Sequence, residues 1–347
     1  MTILQPKVTI ILPVYNVEQY LRQCLDSVVN QTMRDIQIVC INDGATDGSP
    51  AILKEYAAKD PRIEVYHQEN QGGGSARNAA YPHIHGKYTY FVDPDDWLEL
   101  DLCQQCWDKA EATEADMVVL RYIEHSPFPV PSPPFDPALP EIRQFPNERH
   151  DVVGTGAPWQ RFWRSDFFLS NNIRFSEGKR PYNDVFATWK GFVLANRLSV
   201  LNNTLYHYRI RTGSYQQTID EKHFCIVDTF DEVEKMLHEN GRFESYKDVF
   251  SARKLVVYHY SYDKCPPSLR PKFRELVRRS LSTYDREFCR TAPKNLVPKH
   301  IKRFYEMIDG NPGLVSTMNY YITLAIYGIT KKSPSQIFHW IIKRIRT

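Results

Sequence analysis

The sequence predicts an α/β protein with a mostly parallel sheet flanked by helices, followed by a smaller helical region at the C-terminal end. Three observations carry that expectation. Short apolar runs rich in β-branched residues alternate with amphipathic stretches through the first hundred residues, the rhythm of right-handed βαβ units in a parallel sheet. Each run is followed by a polar segment, and ligands of such sheets bind at the carboxyl ends of the strands. From residue 216 onward the pattern is helical spacing alone.

In order along the chain, residues 8–13 (VTIILP) are a nearly continuous apolar run and read as a strand buried on both faces. Residues 17–30 set Tyr20, Leu21, Cys24, Leu25 and Val28 on one helical face. A second buried strand spans 36–41, a helix 50–58 and a strand 63–67; a Gly-rich turn then leads into a helix beginning near Ser75 and a strand over 88–92. Residues 98–112 read as a helix. Eight prolines lie between 126 and 146 in a stretch without amphipathic period. Proline denies both helix and ladder hydrogen bonds, so an extended surface loop is expected there. Helical spacing returns over 159–170 and 184–195, then over 221–240, 244–262 and 269–288, with Asn-Gly and Cys-Pro-Pro breaks between the last three.

Composition limits what such a protein can do. With 347 residues, 42% of them apolar and 24% charged, the chain is globular and long enough for more than one domain, which excludes disorder and a disulfide scaffold. Its 44 Lys and Arg against 41 Asp and Glu leave +3, too balanced for a nucleic-acid-binding field. The imbalance is local: residues 310–347 carry five cations (Lys331, Lys332, Lys343, Arg344, Arg346) and no carboxylate. Seven scattered cysteines imply reduced thiols, and the lone Cys103/Cys106 pair lacks the further ligands of a structural zinc. His83 and His85 likewise lack an acidic partner in sequence. The N-terminus has neither the basic region nor the apolar core of a secretory leader, so a cytoplasmic location is expected.

Four segments follow the predicted strands: PVYN at 13–16, NDGATDGS at 42–49, ENQGGGSARN at 69–78 and DPDD at 93–96. Their polar side chains should converge on one cleft. Asp43, on a βα turn, could accept from a base N–H or a ribose hydroxyl; Arg77 could reach a phosphate. Taken alone, NDG is also an ordinary turn sequence. DPDD is the sharpest signal, because three carboxylates within four residues repel one another unless a hard divalent cation, Mg²⁺ or Mn²⁺, neutralises them. The competing reading is a solvated turn capping the next helix.

These motifs in this order (VTIILPVYN, INDGATDGS, ENQGGGSARNAA, YTYFVDPDDWL) resemble the family 2 glycosyltransferases, and the resemblance covers residues 7 to about 125. It implies a GT-A fold, Rossmann-like, with a nucleotide-sugar half over 1–125, an acceptor half over 150–215 within a catalytic domain of 1–215, and a helical region over 216–347. It further implies that Pro13, Tyr15, Asp43 and Arg77 contact the nucleotide, and that Asp93 and Asp95 form a DxD pair, with Asp95 the direct ligand of Mn²⁺ or Mg²⁺. The stretch IRFSEGKRPYNDVFATWKGF looks like the family's acceptor-side segment, where an Asp usually preceded by Glu is the catalytic base. Here the match falls on Asp184, preceded by Asn183. The competing reading of Asp184 is a helix N-cap. LYHYRIRTGSYQQ at 205–217 resembles the segment that closes over the diphosphate, making His207, Arg209, Arg211 and Ser214 candidates; a surface strand with alternating charges is the plainer alternative.

The expected activity is then an inverting, metal-dependent hexosyl or N-acetylhexosaminyl transfer from a nucleoside-diphosphate sugar, uridine-linked, to a glycan or lipid-linked acceptor in bacterial polysaccharide assembly. The basic C-terminal end suits an anionic membrane surface, or else packs as a helix on the protein with a solvated tail. A rival function is an inactive sugar-nucleotide-binding scaffold at the membrane, for which Asn183 is the support. A nucleotidyltransferase would want a Gly-rich, Arg-containing loop after the first strand, where PVYN stands instead.

Overall fold

The computed structural model describes residues 5–125, 142–143, 157–211, 220–293 and 297–309. Ser214, the Pro-rich stretch apart from 142–143, and the basic C-terminal end lie outside the described residues. The chain divides into two compact units, Met1–Ser214 and Tyr215–Thr347.

In the first unit, β1 (Val8–Val14), β2 (Ile36–Asp43), β3 (Ile63–Gln68) and β4 (Tyr88–Phe91) alternate with α1 (Glu18–Val29), α2 (Ser49–Lys59) and α3 (Gly73–Ala79). Their order in the sheet is β3-β2-β1-β4 and all three pairings are parallel. β1 and β2 are buried along their whole length, as the unbroken apolar runs require. From β4 onward the sheet becomes mixed. The chain forms β5 (Trp97–Leu98), α4 (Leu102–Thr113), β6 (Met117–His125), β7 (Ile142–Arg143), β8 (Arg161–Arg164), α5 (Ser165–Ser170), α6 (Val185–Leu194) and β9 (Leu198–Arg209). β8 lies antiparallel between β4 and β6, β6 pairs parallel with β9, and β5 and β7 add antiparallel to β9.

In this unit the structure departs from the sequence pattern in three places. Residues 159–170 are not one helix but a single-turn segment, the strand β8 and the short α5. Phe162 and Trp163 are adjacent and both buried, at 0% and 1% exposure, because successive side chains of a strand inside the sheet point to opposite faces, here both covered. The helix expected at 98–112 begins four residues late, because Trp97 and Leu98 first pair with β9. β6, an apolar run (MVVLRYIEH), is a strand the helix-and-strand alternation did not register.

In the second unit, α7 (Cys225–Glu239), α8 (Phe243–Lys264), α9 (Arg270–Ser280), α10 (Thr283–Thr291) and α11 (Lys299–Asp309) pack around α8. The helix expected over 269–288 is two helices. Ser282 caps α10, accepting from Asp285 N, while the Asp285 carboxylate accepts from Ser282 N, a capping box that starts a new helix. α8 is buried on most sides and carries Lys254 at 0% exposure, its Nζ donating to Glu234 Oε2 (2.8 Å), Asp285 Oδ2 (3.0 Å) and the Ser280 carbonyl (2.8 Å). Removing one member of a buried charge group leaves the others uncompensated. Lys254→Met is therefore expected to destabilise the helical unit by about 3–5 kcal/mol, read by urea unfolding; a loss below about 1 kcal/mol would show the group to be dispensable.

Candidate active site

Because β1 to β4 run parallel, the loops that follow them open at one edge of the sheet. Pro13 lies inside the buried end of β1, opposite Ile41, while Tyr15, just beyond it, is 44% exposed, a large aromatic ring at the mouth of the edge. The loops after β1 and β2 are tied together: Asn16 Oδ1 accepts from Thr46 N at 2.8 Å, and Ser49 Oγ accepts from Val17 N at 3.1 Å.

Asp43 is 2% exposed, and its carboxylate organises the Gly-rich loop. Oδ1 accepts from Gln68 Nε2 (2.7 Å) and Gln71 N (2.8 Å), and Oδ2 from Gly72 N (2.8 Å). The glycines of that loop serve a purpose the sequence does not reveal. A Cβ on Gly72, whose φ is +92°, would collide with the Gly178 carbonyl, and one on Gly74 with the Ser176 carbonyl. These positions let residues 72–74 lie directly against 176–178, the segment before Asp184. Further bonds fasten the two: Ser75 Oγ accepts from Gly178 N (3.0 Å), and Asn78 exchanges two hydrogen bonds with the Phe175 backbone (2.9 and 3.0 Å).

Arg77 on α3 spans the site. Its side chain is 9% exposed; Nη2 donates to Asp93 Oδ1 at 2.6 Å and Nη1 to Asn183 Oδ1 at 3.1 Å, with the guanidinium over the Phe175 ring. Its Nε is buried without an acceptor.

The DPDD carboxylates have three different surroundings. Asp93 holds Arg77. Asp95 is paired with Arg211 Nε at 2.9 Å, and its carboxyl is pushed up by burial and then by Asp93. Asp96, 1% exposed, accepts from the Tyr206 hydroxyl (2.5 Å) and from Arg209 N (2.7 Å), so it builds the turn; burial and its two acidic neighbours push its carboxyl up as well. Asp96 is one of the three carboxylates that mark DPDD in the sequence, whereas Tyr206 has only the alternation of LYHYR to mark it. Hard oxygen donors at such a turn suit Mg²⁺ or Mn²⁺. Among the described residues, no set of three or more His, Cys, Asp or Glu could hold a metal. A Mg²⁺ bound by one or two carboxylates takes water and substrate phosphate as its remaining ligands. Asp93 and Asp95 therefore fit an ion that shares a diphosphate, and the unsatisfied Arg77 donor also suits an anion.

Residues of β9 brace the turn. Arg209 donates from Nε to the Asp95 carbonyl (2.8 Å) and from Nη2 to Gln23 Oε1 (2.6 Å), stacked on Trp97 and Tyr20. Both ring nitrogens of His207 are engaged, one with Glu99 Oε1 (2.8 Å) and one with His125 (2.9 Å), and its ring stacks on Trp97. So in this structure His207 and Arg209 hold the β9 end against DPDD, and of the basic candidates in this segment Arg211 pairs its side chain with a DPDD carboxylate. The segment is an internal strand, with Tyr206 fully buried, rather than a surface one. His83 stacks on Tyr66, and Cys103 and Cys106 are buried free thiols.

Asp184 stands at the N-terminus of α6 but makes no side-chain capping bond. Burial pushes its carboxyl up to about 6, helped by the Asp93 charge and opposed by the Arg77 and Arg161 guanidiniums. Just before it, Tyr182 takes φ +57°, uncommon for a bulky residue. The site thus gathers Asp43, Arg77, Asp93, Asp95 and Asp184 along one sheet edge and its covering segment.

Residues 9–168 match the family model described as Glycosyl transferase family 2. The chain is also 33% identical, over 74% of its own length and 76% of the relative's, to the putative glycosyltransferase EpsH of Bacillus subtilis. The chain belongs to glycosyl transferase family 2. Among solved structures, S. aureus TarS 1-349 in complex with UDP-GlcNAc superposes on this glycosyltransferase with a TM-score of 0.70 at 20% identity, covering 87% of this chain and 88% of TarS. The mannosyltransferase PcManGT from Pyrobaculum calidifontis, solved with GDP-Man and Mn²⁺, has a TM-score of 0.51 at 15% identity, covering 95% and 88%. Both share its GT-A fold. Among the described residues no helix is long and apolar enough to cross a membrane.

The raised Asp184 carboxyl has a consequence for stability. A carboxyl that ionises near 6 in the folded protein and near 3.9 unfolded makes ionisation costly to the fold, a cost absent below pH 4 and complete above pH 6. Asp184→Asn removes that cost. The variant is expected to be more stable at pH 8, by about 1–3 kcal/mol, with the gain shrinking as pH falls from 6 to 4; thermal unfolding at pH 8 and pH 4 checks this, and an equal difference at both would contradict the burial argument.

Proposed function

We propose that this glycosyltransferase moves a sugar from uridine diphosphate to a hydroxyl of a glycan or lipid-linked acceptor, with inversion at the anomeric carbon, in bacterial surface-polysaccharide assembly. The observation that supports it is the juxtaposition of an acidic turn and a buried guanidinium, suited to a diphosphate, with a carboxyl that ionises near 6 and makes no side-chain capping bond. TarS, with its UDP-GlcNAc, favours a uridine-linked donor among the alternatives. The acceptor class follows from the family rather than from a residue.

In this reading the Tyr15 ring and the Asp43 loop take the nucleotide, and Arg77 and Arg211 neutralise phosphate charge. Asp93 and Asp95 would hold Mn²⁺ or Mg²⁺, which stabilises negative charge on the leaving diphosphate when bound. Asp184 accepts the proton of the acceptor hydroxyl as its oxygen attacks the anomeric carbon from the face opposite the diphosphate. One carboxylate suffices, because the leaving group departs as an anion and needs no proton. A pKa near 6 leaves Asp184 ionised at neutral pH yet more basic than an ordinary carboxylate.

Three outcomes are expected. Asp184→Asn keeps shape and removes only the ability to accept a proton, so it should lower transfer about 10²- to 10⁴-fold while UDP affinity stays near wild type; turnover within about threefold of wild type would remove Asp184 as the base. In the unsubstituted enzyme, kcat should fall about tenfold per pH unit below about 6, where the base becomes protonated. Separately, Asp95→Ala should abolish the Mn²⁺ dependence of UDP binding measured by calorimetry. Unchanged dependence would place the ion elsewhere.

A further inference from the structure

The most informative departure from the family's motif is at position 183. Where Glu usually precedes the base, this chain has Asn183, and its side-chain oxygen accepts from Arg77 Nη1 at 3.1 Å. Asn183 is itself well anchored: its carbonyl accepts from Ser176 N at 2.7 Å, its Nδ2 donates to the Arg180 carbonyl at 3.3 Å, and its Cβ rests above Gly74. Arg77 is held to the acidic turn through Asp93 and lies over the Phe175 ring, while its Nη1 donates to Asn183 Oδ1. The anchored amide therefore fixes the end of the guanidinium that Asp93 does not.

Charge sets the amide apart from the Glu that usually stands there. Arg77 faces Asp93 on one side and the field of Asp184 on another. A carboxylate at 183 would be a third negative group around one guanidinium, and an arriving diphosphate would meet net negative charge. An amide can hold the guanidinium without cancelling it.

We infer that Asn183 is a positioning residue for the donor: its neutral carboxamide fixes Arg77 between the DPDD turn and the base-bearing segment and so preorganises the diphosphate site. The inference rests on the donor reading above. It also ties donor and acceptor sides into one unit, because Asn183 adjoins the base and Arg77 adjoins the acidic turn.

Calorimetric titration of the full chain with UDP in the presence of Mn²⁺ tests it. Asn183→Ala is expected to raise the UDP dissociation constant about 10- to 150-fold, the effect of losing a hydrogen bond to a charged group. Arg77→Ala should raise it as well, and the double variant should bind no more weakly than Arg77→Ala alone, since Asn183 acts only through Arg77. An unchanged constant in Asn183→Ala, or additive effects in the double variant, overturns the inference. Should Asn183→Ala fold poorly, Asn183→Asp keeps its size. That variant is expected to weaken UDP binding, with the loss diminishing from 0.05 M to 0.5 M salt as screening grows; unchanged or tighter binding refutes the need for neutrality. Absence of UDP binding by the unsubstituted protein would instead sink the donor reading and the inference with it.

Discussion

The site depends on one buried guanidinium. Arg77 joins the acidic turn after β4 to the segment that carries Asp184, and it can do so only because Gly72 and Gly74 let α3 begin directly against residues 176–178. Side chains at either glycine would force the two segments apart. The close approach of two backbones thus comes before the chemistry, since the distance from Arg77 to Asn183 is set by it.

The acidic turn shows how one short motif divides its work. Asp96 is spent on structure, accepting from Tyr206 and the Arg209 backbone. Asp93 is spent on Arg77. Asp95 faces the side chain of Arg211, two residues beyond β9, an ion pair between side chains and not a bond to the backbone. The same logic accounts for His207 and Arg209, whose contacts with Trp97, Glu99 and the Asp95 carbonyl keep β9 against the turn.

Asp43 carries a related lesson. Its residue type and its place after a buried strand suggest a ligand contact, yet both oxygens already accept from the Gly-rich loop. A carboxylate has about four acceptor positions, so one bond from Gln68 of β3 and two from the loop leave one position open.

The sequence by itself determined the parallel half of the sheet and the convergence of its loops. Unbroken β-branched runs such as VTIIL and IQIVC can be satisfied only by burial on both faces, and parallel order then fixes which edge the following loops share. It also marked Asp184 through its neighbouring motif. The tertiary structure alone decided the antiparallel half, because Phe162 and Trp163 suit a helix or a two-sided strand equally until β4 and β6 flank them. Likewise it alone decided that glycines of the donor loop make room for residues 176–178 and that Asn183 holds Arg77 across 106 positions. Contacts so distant along the chain leave no periodicity to read, for they arise from the path of the backbone and not from local pattern.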